Sequence, residues 1–248
     1  MYIQRMNTLL FALFFAAAAP HYHVVKHIPV GGDTGWDYLT IDAPSHRLFL
    51  SHGDHVVVLD VSSGKVVGDI PKTEGVHGIA IARDLHRGFV SNGRTNNVTI
   101  FDLDSLKVIG ETKTSERPDA ILFDPSSSRV FTFNAGGKNT TAIDAKTGNL
   151  AGEIPLGGKP EFAVHDGHGH VFVNVEDTSE VAEIDAAKLT VVKRWKLAGC
   201  EDPSGLAIDR EHHRLFSGCA NKVIAISDEE KGALITTAPN GDGDDGDG

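Results

Sequence analysis

The chain has 248 residues, with 23 Lys and Arg against 34 Asp and Glu, for a formal charge of −11. That acidity argues against a general phosphate-backbone binder, so nucleic acid is not an expected partner. No G-x-S-x-G elbow, P-loop or H-E-x-x-H motif occurs in the sequence, which removes the best-marked nucleophile, phosphate and zinc-protease chemistries.

The N-terminus carries Arg5, then the apolar run LLFALFFAAAA from Leu9 to Ala19, then Pro20. This run is too short to span a bilayer as a helix and has the layout of a secretory signal. Residues 1–19 are therefore expected to be removed on export, leaving a mature chain 20–248 without a transmembrane segment, in the periplasm or outside the cell. Next comes HVVKHIP (His23 to Pro29), which matches KVVGDIP (Lys65 to Pro71) at its apolar positions. It reads as an orphan outer strand, because the three strands that should precede it are absent.

From His46 onward the chain repeats itself. Phe49, Phe89, Phe131, Phe172 and Phe216 recur at spacings of 40 to 44 residues, and Asp60, Asp102, Asp144 and Asp185, with Ser227 in fifth place, keep the same beat. Within one unit, DAILFD, RVFTFN, TTAID and NLAGEIP (Asp119 to Pro155) alternate apolar and polar residues between turn-forming DPSSS and AKTG, which is the period of strands, not of helices. A period of this length made of short strands predicts an all-β β-propeller of four-stranded antiparallel blades. Blades are expected at about 30–71, 72–113, 114–155, 156–197 and 198–239, with 240–248 beginning a sixth. Five complete blades plus the orphan strand read as an open arc of a larger ring. The aspartates at strand ends read as turn caps.

FVSNGRTNNVTIFD (Phe89 to Asp102) resembles the YVTN repeat, and the arrangement over residues 23–248 is similar to YncE-like secreted seven-bladed propellers. The resemblance implies an exported propeller with C-terminal blades missing. It says little about function, because propellers host many activities.

Residues at matched positions in a propeller form rings on the face where the chain enters each inner strand. Counting five residues back from Asp42, Ala82, Asp124, Asp166 and Asp209 gives Asp37, His77, Asp119, Glu161 and Ser204, and Asp245 holds the sixth place. The loops between second and third strands add His52, Asn92, Asn134 and Glu176. Of these, Asp37, His77, Asp119, Glu161, His52, Asn92, Asn134 and Glu176 are the candidate ligand-binding residues for a small molecule or a protein loop. Asp37, His77, Asp119 and Glu161 are also candidate ligands for a divalent metal ion, the one cofactor the residue types suggest. The sequence thus supports a binding scaffold, with a metal-dependent lactone or ester hydrolase as the alternative. His165, His168 and His170 in HDGHGH fall on the opposite face, in a turn that reads as polar with metal binding as the second option. Cys200 precedes the fifth inner strand and Cys219 ends its neighbour; export permits oxidation, so a Cys200–Cys219 disulfide is expected.

Overall fold

The computed structural model describes residues 23–32 and 35–241; the expected signal segment and Asp245 lie outside them. By its contacts the chain divides into residues 1–30 and 31–248. In the first unit, the described segment 23–30 has no strand, and Val24 and Val25 are 72% and 86% exposed. This corrects the orphan-strand expectation. Apolar spacing marks a segment able to pair, but a strand exists only when a neighbour takes its backbone groups.

The second unit contains five four-stranded antiparallel sheets, each a meander in chain order. Blade 1 comprises β1 (Trp36–Asp42), β2 (Arg47–His52), β3 (His55–Asp60) and β4 (Lys65–Pro71). Blade 2 comprises β5 (Val76–Ala82), β6 (Arg87–Asn92), β7 (Asn97–Asp102) and β8 (Val108–Lys113). Blade 3 is β9 (Pro118–Asp124), β10 (Arg129–Asn134), β11 (Asn139–Asp144) and β12 (Leu150–Pro155). Blade 4 is β13 (Pro160–His165), β14 (His170–Val175), β15 (Glu180–Asp185) and β16 (Thr190–Lys196). Blade 5 is β17 (Pro203–Asp209), β18 (Arg214–Cys219), β19 (Val223–Asp228) and β20 (Ala233–Pro239). The inner strands β1, β5, β9, β13 and β17 adjoin in that order. Among the described residues this is a propeller arc whose sheets do not close into a ring.

Neighbouring blades share their cores. Phe49 and Val58 of blade 1 pack with Ile79, Val90 and Phe101 of blade 2. Phe89 and Ile100 meet Val130 and Ile143, Phe131 and Phe133 meet Val173 and Ile184, and Phe172 and Trp195 meet Leu206 and Leu215. Alternation along each strand sends one set of apolar residues to the preceding blade and the other to the following one, so each sheet is buried on both faces only between neighbours.

Polar repeats complete the frame. Asp60, Asp102, Asp144 and Asp185 accept the backbone N–H three residues on, at 2.7 to 2.8 Å. In blade 5 that role falls to Asp228, which accepts from Lys231 N–H at 2.9 Å. Ser227 is buried one residue earlier, so the fifth beat read from sequence is displaced by one. The second-to-third-strand hairpins differ in length, so no fixed count carries the beat between blades: Arg47 pairs Asp60 13 residues on, Arg87 pairs Asp102 and Arg129 pairs Asp144 15 residues on, and Arg214 pairs Asp228 14 residues on. A disulfide joins Cys200 to Cys219, with Cα atoms 5.4 Å apart.

Candidate functional site

Every inner strand carries a bulge, and it falls at the ring positions. In blade 1 Trp36 pairs His52 and Leu39 pairs Leu50, so Asp37 and Tyr38 together oppose Ser51 alone. The same two-against-one count occurs at His77 and Gly78, Asp119 and Ala120, Glu161 and Phe162, and Ser204 and Gly205. A bulge bends the strand and re-aims its side chains. Hydroxyls on the second strands take up backbone groups freed there: Ser51 Oγ accepts Asp37 N–H at 2.8 Å, and Ser91 Oγ accepts Gly78 N–H at 3.0 Å. Ser91 also donates to the Asp119 carbonyl at 2.5 Å, tying blade 2 to blade 3.

These bulges bring three of the predicted residues into one group. Asp37, His77 and Asp119 each offer a ligand atom within 4.8 Å of the others. His77 Nδ1 lies 2.5 Å from Asp37 Oδ2 and 3.6 Å from Asp119 Oδ1. The Asp37 hydrogen bond, aided by the Asp119 charge, raises the His77 pKa above the ordinary imidazole value against the opposing effect of burial. Burial raises the pKa of Asp119, and repulsion from Asp37 adds to it, while the His77 charge works the other way.

Glu161 stands beside this group with a partner of its own. Lys159 Nζ donates to Glu161 Oε1 at 2.7 Å and forms a short ion pair with Glu176. Burial, the Asp119 charge and the hydrogen bond to Glu176 raise the Glu161 pKa to about 7 although Lys159 opposes them. Among the described residues the mouth therefore holds four carboxylates, Asp37, Asp119, Glu161 and Glu176, with His77 and Lys159 among them. Beneath it the residues after the ring form a floor: Tyr38 and Phe162 meet edge to face at 5.3 Å. A cavity of about 70 Å³ is lined by Tyr38, Thr40, Gly78, Ile79, Ala120 and Phe162.

The remaining predicted residues sit elsewhere. Asn92 and Asn134 are fully buried. Their amide groups donate to Asn97 and Thr99, and to Asn139 and Thr141, at 2.8 to 2.9 Å, which fastens each second strand to the third. His52 is 5% exposed, stacked on Trp36 at 3.8 Å, with Nδ1 3.1 Å from His55 Nε2. Sequence reading missed Lys159, whose signal was its place two residues before a ring position, where Gly35, Gly75 and Arg117 stand in blades 1 to 3.

No protein-family model matches the chain, and no curated protein matches it. Among solved structures it is similar to Kuenenia stuttgartiensis hydrazine synthase, at 16% identity and a TM-score of 0.65 over 91% of this chain and 92% of that one. It is similar to U3-55K at 11% identity and a TM-score of 0.73, and to the Cps50 (Swd1) β-propeller domain of Myceliophteria thermophila at 12% and 0.67. The matches cover 84% and 79% of this chain and 65% of each of those two. At such identities the likeness is one of fold, and the class it defines is the β-propeller.

Proposed function

We propose that the protein is a binding module whose channel mouth holds a small polar ligand or a protein loop. The observation that carries this reading is the meeting of Asp37, His77 and Asp119 with the Lys159–Glu161–Glu176 cluster above an aromatic floor, because convergent polar groups over apolar walls are the usual composition of a ligand site. The repulsion among its crowded carboxylates favours ligands that bring a cation or several N–H donors. Replacing Asp119 by Asn together with His77 by Gln should abolish binding of ligands found by a metabolite screen while shifting Tm by no more than a few degrees. Undiminished binding in that double variant would place the site elsewhere.

The group of three donors favours a second reading, in which a divalent ion held by Asp37, His77 and Asp119 activates water for lactone or ester hydrolysis. Glu161, already bonded to Lys159, would act beside the metal as a base in place of ligating it. Metal analysis of purified protein and a lactone screen separate this from simple binding.

Membership of the YncE-like family and export to the periplasm or beyond belong to the same proposal. The Cys200–Cys219 disulfide supports an oxidising compartment. The charge of −11 supports partners other than nucleic acid.

A further inference from the structure

At three of the four junctions between blades an arginine reaches forward. Arg47, opposite Asp60, donates to the Leu103 carbonyl of blade 2 at 2.7 Å. Arg87, opposite Asp102, donates to Ala145 of blade 3 at 3.2 Å. Arg129, opposite Asp144, donates to Ala186 and, at 2.8 Å, to Ala187 of blade 4. In each case the acceptor is the residue following the strand-ending aspartate of the next blade. The guanidinium thus closes the junction on the face opposite the channel mouth.

The junction between blades 4 and 5 departs from this pattern. His170 stands opposite Asp185 in place of the arginine, and Glu229, following Asp228, stands where the others have Leu103, Ala145 and Ala186. A groove of about 280 Å³ opens there, lined among others by Asp166, His170, Glu183, Lys193, His213, Glu229 and Glu230. Neighbouring positions change in the same sense. Glu183 and Lys193 face each other across β15 and β16, where β3–β4, β7–β8 and β11–β12 pair Val58 with Gly68, Ile100 with Gly110 and Ala142 with Gly152.

The acids of the groove are unequally matched. Lys193 Nζ lies 3.3 Å from Glu183 Oε2 and donates to the Glu230 carbonyl at 2.8 Å. Asp166 accepts from His170, with Nδ1 at 2.8 Å, and from two backbone N–H groups. Glu229 Oε1 is 2.8 Å from His213 Nδ1. Glu229 is 7% exposed, and its Oε2 is buried without a hydrogen-bond partner. A buried carboxylate oxygen left without a donor is unfavourable until one is supplied.

We propose that this groove is a second binding site, for a guanidinium group that takes the place of the forward-reaching arginine of the other three junctions and donates to Glu229. The planar fork of a guanidinium matches a carboxylate, and it is the group the fold itself uses at the other three junctions. Its source is a free small molecule or an arginine side chain of a polypeptide. The site is independent of the channel mouth and stands whether or not that reading does.

The test titrates the full chain with n-butylguanidinium and with n-butylurea, its uncharged analogue, following the imidazole and Phe172 resonances by NMR. Saturable binding of the guanidinium is expected, with at least tenfold weaker binding of the urea. Glu229→Gln should weaken guanidinium binding about tenfold. His170→Arg should supply the latch from within, raising Tm and abolishing binding, while the Asp119→Asn, His77→Gln double variant binds as wild type does. Should Glu229→Gln fail to fold, the exposed Glu230→Gln serves in its place, with several-fold weakening expected. Tighter binding of the peptide acetyl-Gly-Arg-Gly-amide than of n-butylguanidinium assigns a polypeptide source, and the reverse a small molecule; both support the site. Equal binding of the urea, full binding to His170→Arg, or uptake of Zn²⁺ with no guanidinium binding would overturn the proposal.

Discussion

Lys159 shapes the chemistry of the channel mouth more than any residue picked out by its place in the repeat. By bonding Glu161 and Glu176 it separates the four predicted metal ligands into a group of three and a paired acid. The ring itself was legible in the sequence, since counting back from matched strand ends found Asp37, His77, Asp119 and Glu161. Contacts inside the ring were not, because a repeat period fixes which residues are equivalent and leaves open which neighbours they bond. Asn92 and Asn134 show the same limit: their loop is identifiable from spacing, yet the inward turn of the side chain depends on Thr99 and Thr141 across the hairpin. A pH prediction follows from the shifts. The folded-state pKa values of Glu161 and His77 both lie above their ordinary ones, so the folded state holds protons that the unfolded chain has released, and stability falls as pH rises. For Glu161 the loss runs from about 4.5 to about 7; for His77 it begins near 6.5 and continues through the raised value. Burial lowers the His165 pKa, which opposes this fall below pH 6.5, so the test compares variants with wild type: the fall of Tm with rising pH should be shallower in Glu161→Gln between about pH 5 and pH 7 and in His77→Gln above pH 6.5. Variant profiles parallel to the wild type would contradict this assignment of charge.

The four-strand blade is the element in which sequence and structure agree best, because alternation and turn chemistry specify a meander locally. The bulges are less visible. They insert one residue into each inner strand and reverse the alternation at the ring, so a pattern read along β1 or β5 loses its phase just where the candidate site lies. Packing between strands also depends on complementary exceptions. Gly88 pairs Phe101 in the β6–β7 ladder, and a Cβ at position 88 would lie 1.9 Å from the Phe101 ring, which is fully buried. Blade 3 has Val130 opposite Ile143 in the corresponding place, so the volume is shared differently between the two strands. Gly88→Ala is expected to destabilise the protein by about 1–3 kcal/mol through overpacking. Adding Phe101→Leu should recover much of that loss in urea denaturation. Recovery by the second substitution ties the effect to this contact and not to the backbone of β6.

Stability across the whole propeller is built from contacts between successive blades, because each core cluster draws on adjacent sheets. The repeated phenylalanine shows the consequence. Phe49, Phe89, Phe131 and Phe172 are 0 to 2% exposed under the following blade, whereas Phe216 in blade 5 is only half-buried, as are Ile224 and Ile226 on the same face. Among the described residues no further sheet packs on that face, so blade 5 rests on its junction with blade 4 and on its own internal ties. The disulfide is the strongest of those ties. Cys200 and Cys219 belong to the cluster that joins the two blades, and the bond spans 19 residues from the approach to β17 to the end of β18. In the chain-entropy picture a loop of this length contributes about 3 kcal/mol. Reduction, or the double substitution Cys200→Ser, Cys219→Ser, should lower the stability of blade 5 selectively. Hydrogen exchange should speed up first in β17–β20, while β5–β12, flanked by blades on both sides, keep their protection. Uniform acceleration over all five blades would mean that the arc unfolds as one cooperative unit and that the disulfide stabilises the whole of it.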